Sequence, residues 1–170
     1  PFIERLVHFW ANHFALSADQ PVVAALAGSF EAEAIRPHLL GRFERLLLAV
    51  ERHPAMLIYL DQAQSIGPDS RAAERAAQRR PQQRRGLNEN LAREILELHT
   101  LGVGGGYTQA DVTEFARALT GWGIAGPDDR DSGGDGFRFR PGQHEPGERL
   151  IRGRRYAASA RDDGAAQGEQ

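Results

Sequence analysis

The stretch Gly86-Leu87-Asn88-Glu89-Asn90-Leu91-Ala92-Arg93-Glu94-Ile95-Leu96-Glu97-Leu98-His99-Thr100-Leu101-Gly102 decides the fold class. Asn88 stands where an N-cap belongs. The periodic run from Glu89 to Leu101 then stops in Gly102-Val103-Gly104-Gly105-Gly106. At about 100° per residue, Asn90, Glu94, Glu97 and Leu101 share one face with Arg93 at its edge, while Leu91, Ile95 and Leu98 occupy another. The spacing predicts a helix that packs one side and carries polar chemistry on the other.

Helical patterns continue on both sides of this segment. Phe2, Ile3, Leu6, Val7, Trp10 and Phe14 recur at helical spacing, and Pro21–Ala34 is alanine-rich and reads as helical. Pro37 restricts its predecessor and bends the chain, a third helix is expected from His38 to His53, and Pro54 opens a short one through Leu60. Thr108 begins another helix with Asp111 placed for a capping box, ending at Thr120-Gly121-Trp122-Gly123. Beyond it, Phe137-Arg138-Phe139 alternates like a strand, with Leu150-Ile151 as the expected partner in a small hairpin. The fold expected is mainly α, a multi-helix orthogonal or bundle-like packing with a short C-terminal β-hairpin. It divides into a helical part over 1–60, an arginine- and glutamine-rich linker over 61–86, a signature helix pair over 87–123, a loop and small hairpin over 124–156, and a tail over 157–170 that lacks a core pattern and is expected to be disordered.

Composition excludes several function classes. In 170 residues, 21 basic against 23 acidic side chains leave a net charge of -2, which gives no electrostatic reason to expect nucleic acid. No apolar run reaches the length of a membrane span. The absence of cysteine removes disulfides, thiolate nucleophiles and cysteine-ligated metals. Phosphate loops, nucleophile elbows, His-Glu-x-x-His and dinucleotide fingerprints are also missing. The start at Pro1, with no methionine and no signal-like region, reads as an internal fragment or a processed N-terminus.

Chemistry centres on a few side chains. Glu94 and Glu97 at i and i+3, beside the Asn90 amide and the Arg93 guanidinium, can bind a hard cation, exchange protons, form an ion-pair network, or simply be a solvated helix face. A divalent metal ion is therefore the one cofactor to consider. His13, between Trp10 and Phe14 near a helix end, is either a packed polar anchor or a general base. His99 lies across the helix from the two glutamates and reads as a packing residue. His144, in Gln143-His144-Glu145-Pro146-Gly147, sits in a turn that accounts for the Pro-Gly pair but not for the His-Glu pair.

The order and spacing of several of these elements resemble the bacterial family named domain of unknown function 1800. The resemblance rests on Phe9-Trp10-Ala11-Asn12-His13-Phe14, Arg36-Pro37-His38, His53-Pro54-Ala55-Met56-Leu57, Asn88-Glu89-Asn90, Ala92-Arg93-Glu94, Glu97-Leu98, Tyr107-Thr108-Gln109, Ala118-Leu119-Thr120-Gly121-Trp122 and His144-Glu145-Pro146-Gly147 with Gly153 and Tyr156. It implies no known reaction, but it draws attention to His13, Asn90, Arg93, Glu94 and Glu97 as recurring polar positions. It also implies an exported sulfatase-like partner protein and a setting in the cell envelope or periplasm. Two functions follow: a helical scaffold or partner-binding module with a buried polar network, or an enzyme using Glu94, Glu97 and His13 catalytically, with Asn90, Arg93 and His144 binding substrate.

Overall fold

A computed structural model describes residues 1–79, 86–126, 129, 136–158 and 164–169. The chain is mainly helical with two small antiparallel strand pairs, and it divides into two compact units. The first unit is residues 1–60 with 124–137, and the second is residues 61–123 with 138–170.

In the first unit, α1 (Phe2–His13) buries Val7, and Phe14 just beyond it is fully enclosed. Helix α2 (Pro21–Phe30) opens on a proline, which fits the first helical turn because its missing N–H would have no partner there. It continues through a wider π-type turn, Glu31–Ile35, and a tight turn at Arg36–His38. Arg36 is held across this bend: it donates to both carboxylate oxygens of Glu4 (3.0 and 2.9 Å) and from Nε to Glu31 (2.9 Å). The pairing holds Glu4 below the usual carboxylate range.

The expected start of the third helix at His38 is corrected to Phe43. The tight turn at Arg36–His38 closes with Gly41 N–H on the His38 carbonyl, and Arg42 is extended, so α3 spans Phe43–Arg52. At its end the chain turns into α4 (Pro54–Tyr59), capped by the His53 ring, whose Nδ1 accepts from Ala55 N–H (3.1 Å). Val7, Phe14, Val23, Ile35, Leu46, Val50, Met56 and Leu57 fill this core.

In the second unit, α5 (Arg71–Arg79) lies within the stretch read as a linker, whose Gln62, Ser65, Ile66 and Ser70 are buried. Residues Arg80, Arg84 and Arg85 lie outside the described residues. The cap expected at Asn88 falls one residue later, at Glu89, which makes no side-chain cap bond; Asn88 Oδ1 instead accepts from Asn90 N–H (2.8 Å) in a local turn, and α6 (Asn90–Glu94) runs into a second π-type turn, Ile95–Thr100. That wider turn breaks the 100° projection. Leu98, projected beside Leu91 and Ile95, is 54% exposed, while His99 is buried on the side where the projection sets it as a packing residue.

Helix α7 (Gln109–Leu119) starts with the expected capping box: Thr108 Oγ accepts from Asp111 N–H, and Asp111 accepts from Thr108 N–H. The expected pairing of Phe137–Phe139 with Leu150–Ile151 is overturned. Strand β2 (Phe137–Phe139) pairs with β1 (Trp122–Ile124), while β3 (Arg149–Ile151) pairs antiparallel with β4 (Arg154–Tyr156), setting Ile151 opposite Arg154. The physical reason is local. Arg152 and Gly153 both take positive φ (50° and 76°), the conformation of a two-residue hairpin turn whose twist matches the strands. The tail carries a short helix, α8 (Gly164–Glu169), in which Gly168 approaches Trp122 and Leu119 and Gln167 is buried.

Asp111 joins two elements. Its Oδ2 completes the cap of α7 and its Oδ1 accepts from Arg152 N–H (2.6 Å) in the hairpin turn, and these bonds, that from Arg152 foremost, lower its pKa. A carboxylate depressed on folding stabilises above its unfolded pKa and loses that contribution as pH falls through the folded one. Asp111→Ala is expected to cost about 1–2 kcal/mol in urea unfolding at neutral pH. The difference from the native chain should shrink in acid, and an unchanged unfolding midpoint at neutral pH would refute the role.

Candidate functional site

Two polar clusters lie in the second unit. The first sits where α6 meets α7. Glu89, one residue ahead of α6, accepts from Thr113 Oγ at Oε1 (2.7 Å), and from Gln109 Nε2 (2.7 Å) and Arg93 Nη2 (3.2 Å) at Oε2. Arg93 also donates to Gln109 Oε1 (2.8 Å), closing the cluster. The Thr113 hydroxyl, with Gln109 and Arg93, keeps the Glu89 carboxyl below its ordinary range against the opposing effect of burial.

The second cluster forms around the His144-Glu145-Pro146-Gly147 turn. Glu145 is 3% exposed and reaches both the 67–70 loop and the end of α7. Its Oε2 accepts from Asp69 N–H (2.8 Å), its own N–H donates to Thr120 Oγ (2.8 Å), and its Oε1 lies 4.0 Å from Arg117 Nε. Gly67 N–H bonds the Gln143 carbonyl (2.9 Å), and the backbones come so close that a Cβ at Gly67 would stand 2.7 Å from Glu145 Cα. Glycine is the residue that permits this approach.

From Glu145 the charges alternate. Arg117 donates to Glu114 Oε1 (2.5 Å), Arg149 donates to Glu114 Oε2 (3.3 Å), and Arg149 returns through its other amino group to the Pro146 carbonyl. The circuit Glu145, Arg117, Glu114, Arg149 has no net charge and closes on the turn where it began. Ion pairs are costly to desolvate; here Glu145 and Arg149 are buried, Glu114 and Arg117 keep part of their surface in water, and the Nε groups of Arg117 and Arg149 make no hydrogen bond among the described residues.

His144 borders the circuit. Its Nδ1 lies 2.8 Å from the Thr120 carbonyl, so the neutral ring carries its proton on Nδ1, and its ring meets Phe139 edge to face. Burial pushes its pKa below the ordinary histidine value; the Arg149 charge acts the same way, against the Thr120 carbonyl, Gln167 and Glu145. Gln167 donates to the Ala157 (2.7 Å) and Gly147 (3.2 Å) carbonyls, which draws α8 onto the same turn.

The residues expected from sequence fall in different places. His13 belongs to the first unit, where its ring packs among Phe9, Trp10 and Phe14. Asn90 is exposed. Arg93 joins the Glu89 cluster. Glu94 and Glu97 are half-buried and make no hydrogen bond or ion pair among the described residues, so the hydrogen bonds do not bring Asn90, Arg93, Glu94 and Glu97 together. No group of three His, Asp or Glu side chains able to hold a metal ion forms among the described residues, and no helix among them is long and apolar enough to cross a membrane.

Sequence reasoning passed over Glu89, Glu114, Arg117 and Arg149. The signal for the second cluster was the His-Glu pair left unaccounted for by the turn. A model of the family described as protein of unknown function (DUF1800) matches residues 1–170. No curated protein and no solved structure matches the chain.

Glu89→Gln is expected to lower stability by about 1–2 kcal/mol, because the charge-assisted bonds from Thr113, Gln109 and Arg93 become neutral ones. Since the folded carboxyl is depressed, the native chain should lose this advantage as pH falls through its folded pKa, so that the gap between native chain and variant narrows over that window. Parallel pH curves for the two chains would contradict the assignment.

Proposed function

Because this chain belongs along its whole length to the DUF1800 family, whose function is unknown, we propose from its geometry a helical scaffold or partner-binding module in which a buried polar network fixes the packing. The observation that carries this reading is the charge circuit closing on Glu145. Glu114 joins Arg117 to Arg149 by hydrogen bonds, Arg149 returns to the turn, and Glu145 is bonded to the 67–70 loop and to the Thr120 end of α7. Groups engaged in this way hold elements in register.

A second reading, an enzyme with acid-base or metal chemistry at Glu94 and Glu97, is favoured by one observation. These carboxylates are half-buried and free of hydrogen bonds among the described residues, which leaves their oxygens available to a substrate proton or a divalent cation. The family resemblance supports an exported sulfatase-like protein as partner and the cell envelope as setting. The near balance of 21 basic and 23 acidic residues speaks against nucleic acid.

Glu94→Gln and Glu97→Gln separate the two readings when thermal unfolding and elemental analysis of bound metal are run together. The scaffold reading expects stability to stay within about 0.5 kcal/mol, with metal content equal to that of the native chain. It expects Glu114→Gln, by contrast, to lose about 1–3 kcal/mol by leaving Arg117 and Arg149 without their shared carboxylate. Loss of stoichiometric metal in the Glu94 or Glu97 variants at unchanged stability would overturn it in favour of the enzyme.

A further inference from the structure

The π-type turn after α6 and the glycine-rich loop beyond it leave an apolar strip uncovered. Leu98 is 54% exposed, Leu101 37% and Val103 79%. The loop is shaped to keep Val103 there. Gly102 and Gly104, on either side of it, take positive φ (84° and 77°), and Gly105 N–H bonds the Gly102 carbonyl (3.0 Å). A Cβ at Gly105 would stand 2.5 Å from Leu101 Cβ, so the chain folds back onto Leu101 and carries Val103 at its tip.

Carboxylates border this strip. Leu98 follows Glu94 by four residues and Leu101 follows Glu97 by four, one turn in each case, so each leucine has a half-buried carboxylate beside it. Neither carboxylate makes a hydrogen bond or ion pair among the described residues. The guanidinium on the same helix, Arg93, is already engaged by Glu89 and Gln109, and its charge is balanced by that of Glu89. The uncompensated charge on the face is therefore that of Glu94 and Glu97, negative and next to exposed apolar side chains.

We propose that this face docks a basic amphipathic helix of a partner protein, whose lysine or arginine side chains meet Glu94 and Glu97 while its apolar side chains cover Leu98, Leu101 and Val103. The charge selects the sign of the partner, and the leucines select its carrier. A lysine or arginine brings an apolar stem that packs on leucine while its charged end reaches the carboxylate, whereas a hydrated metal ion gains nothing from leucine. Spacing of one turn between carboxylate and leucine suits side chains three and four residues apart on a helix laid alongside. Nucleic acid and anionic lipid surfaces are repelled by the same charge. The inference rests on the partner-binding reading above and names the surface and the chemistry of the partner.

The test is fluorescence anisotropy of a labelled helical peptide of leucine and lysine, titrated with the full chain. Glu94→Gln and Glu97→Gln are each expected to weaken binding about threefold, and the two together about tenfold. Leu98→Ser is expected to weaken it about tenfold by removing the apolar contact, with the amide signals of α6 and α7 retained in the NMR spectrum. Glu74→Gln, which removes an exposed carboxylate on α5, is expected to leave binding unchanged, and a peptide with glutamine for lysine is expected not to bind. Equal binding by native chain and variants overturns the proposal, as does weakening by Glu74→Gln as large as that by Glu94→Gln. Self-association of the native chain that Leu98→Ser abolishes, without peptide binding, overturns it in favour of a second copy. Loss of stability in Glu114→Gln without peptide binding removes the docking inference alone; native stability in Glu114→Gln removes the scaffold reading whatever the peptide does.

Discussion

A buried carboxylate must be paid for by its partners, and Glu145 sets the terms for the second unit. Withdrawn from water, it is held by the Asp69 amide, by the Thr120 hydroxyl bonded to its backbone N–H, and by the nearby Arg117 guanidinium. The amide comes from the 67–70 loop, and the hydroxyl and guanidinium from the end of α7. The loop at Gly67–Ser70, the end of α7 and the His-Glu-Pro-Gly turn are therefore fixed together at one residue. Thr120 links further outward, donating to the Arg117 carbonyl (2.6 Å) while its own carbonyl receives the His144 ring.

Around that point the hydrophobic and polar contributions divide their work. Leu91, Ala92, Val112, Ala116 and Leu119 supply the apolar burial that makes α6 and α7 stable as a pair. Such contacts are non-directional and do not by themselves choose one register. Directional bonds do: Gln62 reaches the Leu119 carbonyl (2.8 Å), Asn88 N–H reaches Ser65 Oγ (3.1 Å), and Asp111 ties the start of α7 to the hairpin turn. The first unit shows the same division, with Arg36 bridging Glu4 and Glu31 over an aliphatic and aromatic core.

The parts of this arrangement legible in the sequence are those written in local code. The Thr108–Asp111 capping box and the prolines opening α2 and α4 depend on neighbours within a few residues, and each stands where the spacing placed it. The π-type turns after Phe30 and Glu94 were invisible, because a one-residue widening leaves no compositional mark yet rotates every later side chain, exposing Leu98 that the spacing sets beside Leu91. Strand pairing was misassigned because Phe137–Phe139 and Leu150–Ile151 both looked like halves of one hairpin, while the turn that closes the real one, Arg152-Gly153, carries an arginine where asparagine is usual. Glu114 and Arg117 stand one turn apart on α7 and Arg149 four residues beyond Glu145, but the two pairs lie far apart along the chain, so no periodicity connects one pair to the other. The unaccounted His144-Glu145 pair marked the place without revealing its partners.

The most direct measurement of this account is urea unfolding of Glu145→Ala, followed through the NMR signal of the Trp122 indole, which lies in the same unit. Removing the carboxylate strands the Asp69 amide and leaves Arg117 with less compensation, so a loss of about 2–4 kcal/mol is expected, with weakened exchange protection at Asp69 and in the turn. A variant that unfolds within about 0.5 kcal/mol of the native chain, with protection intact, would show that the second unit does not depend on this side chain.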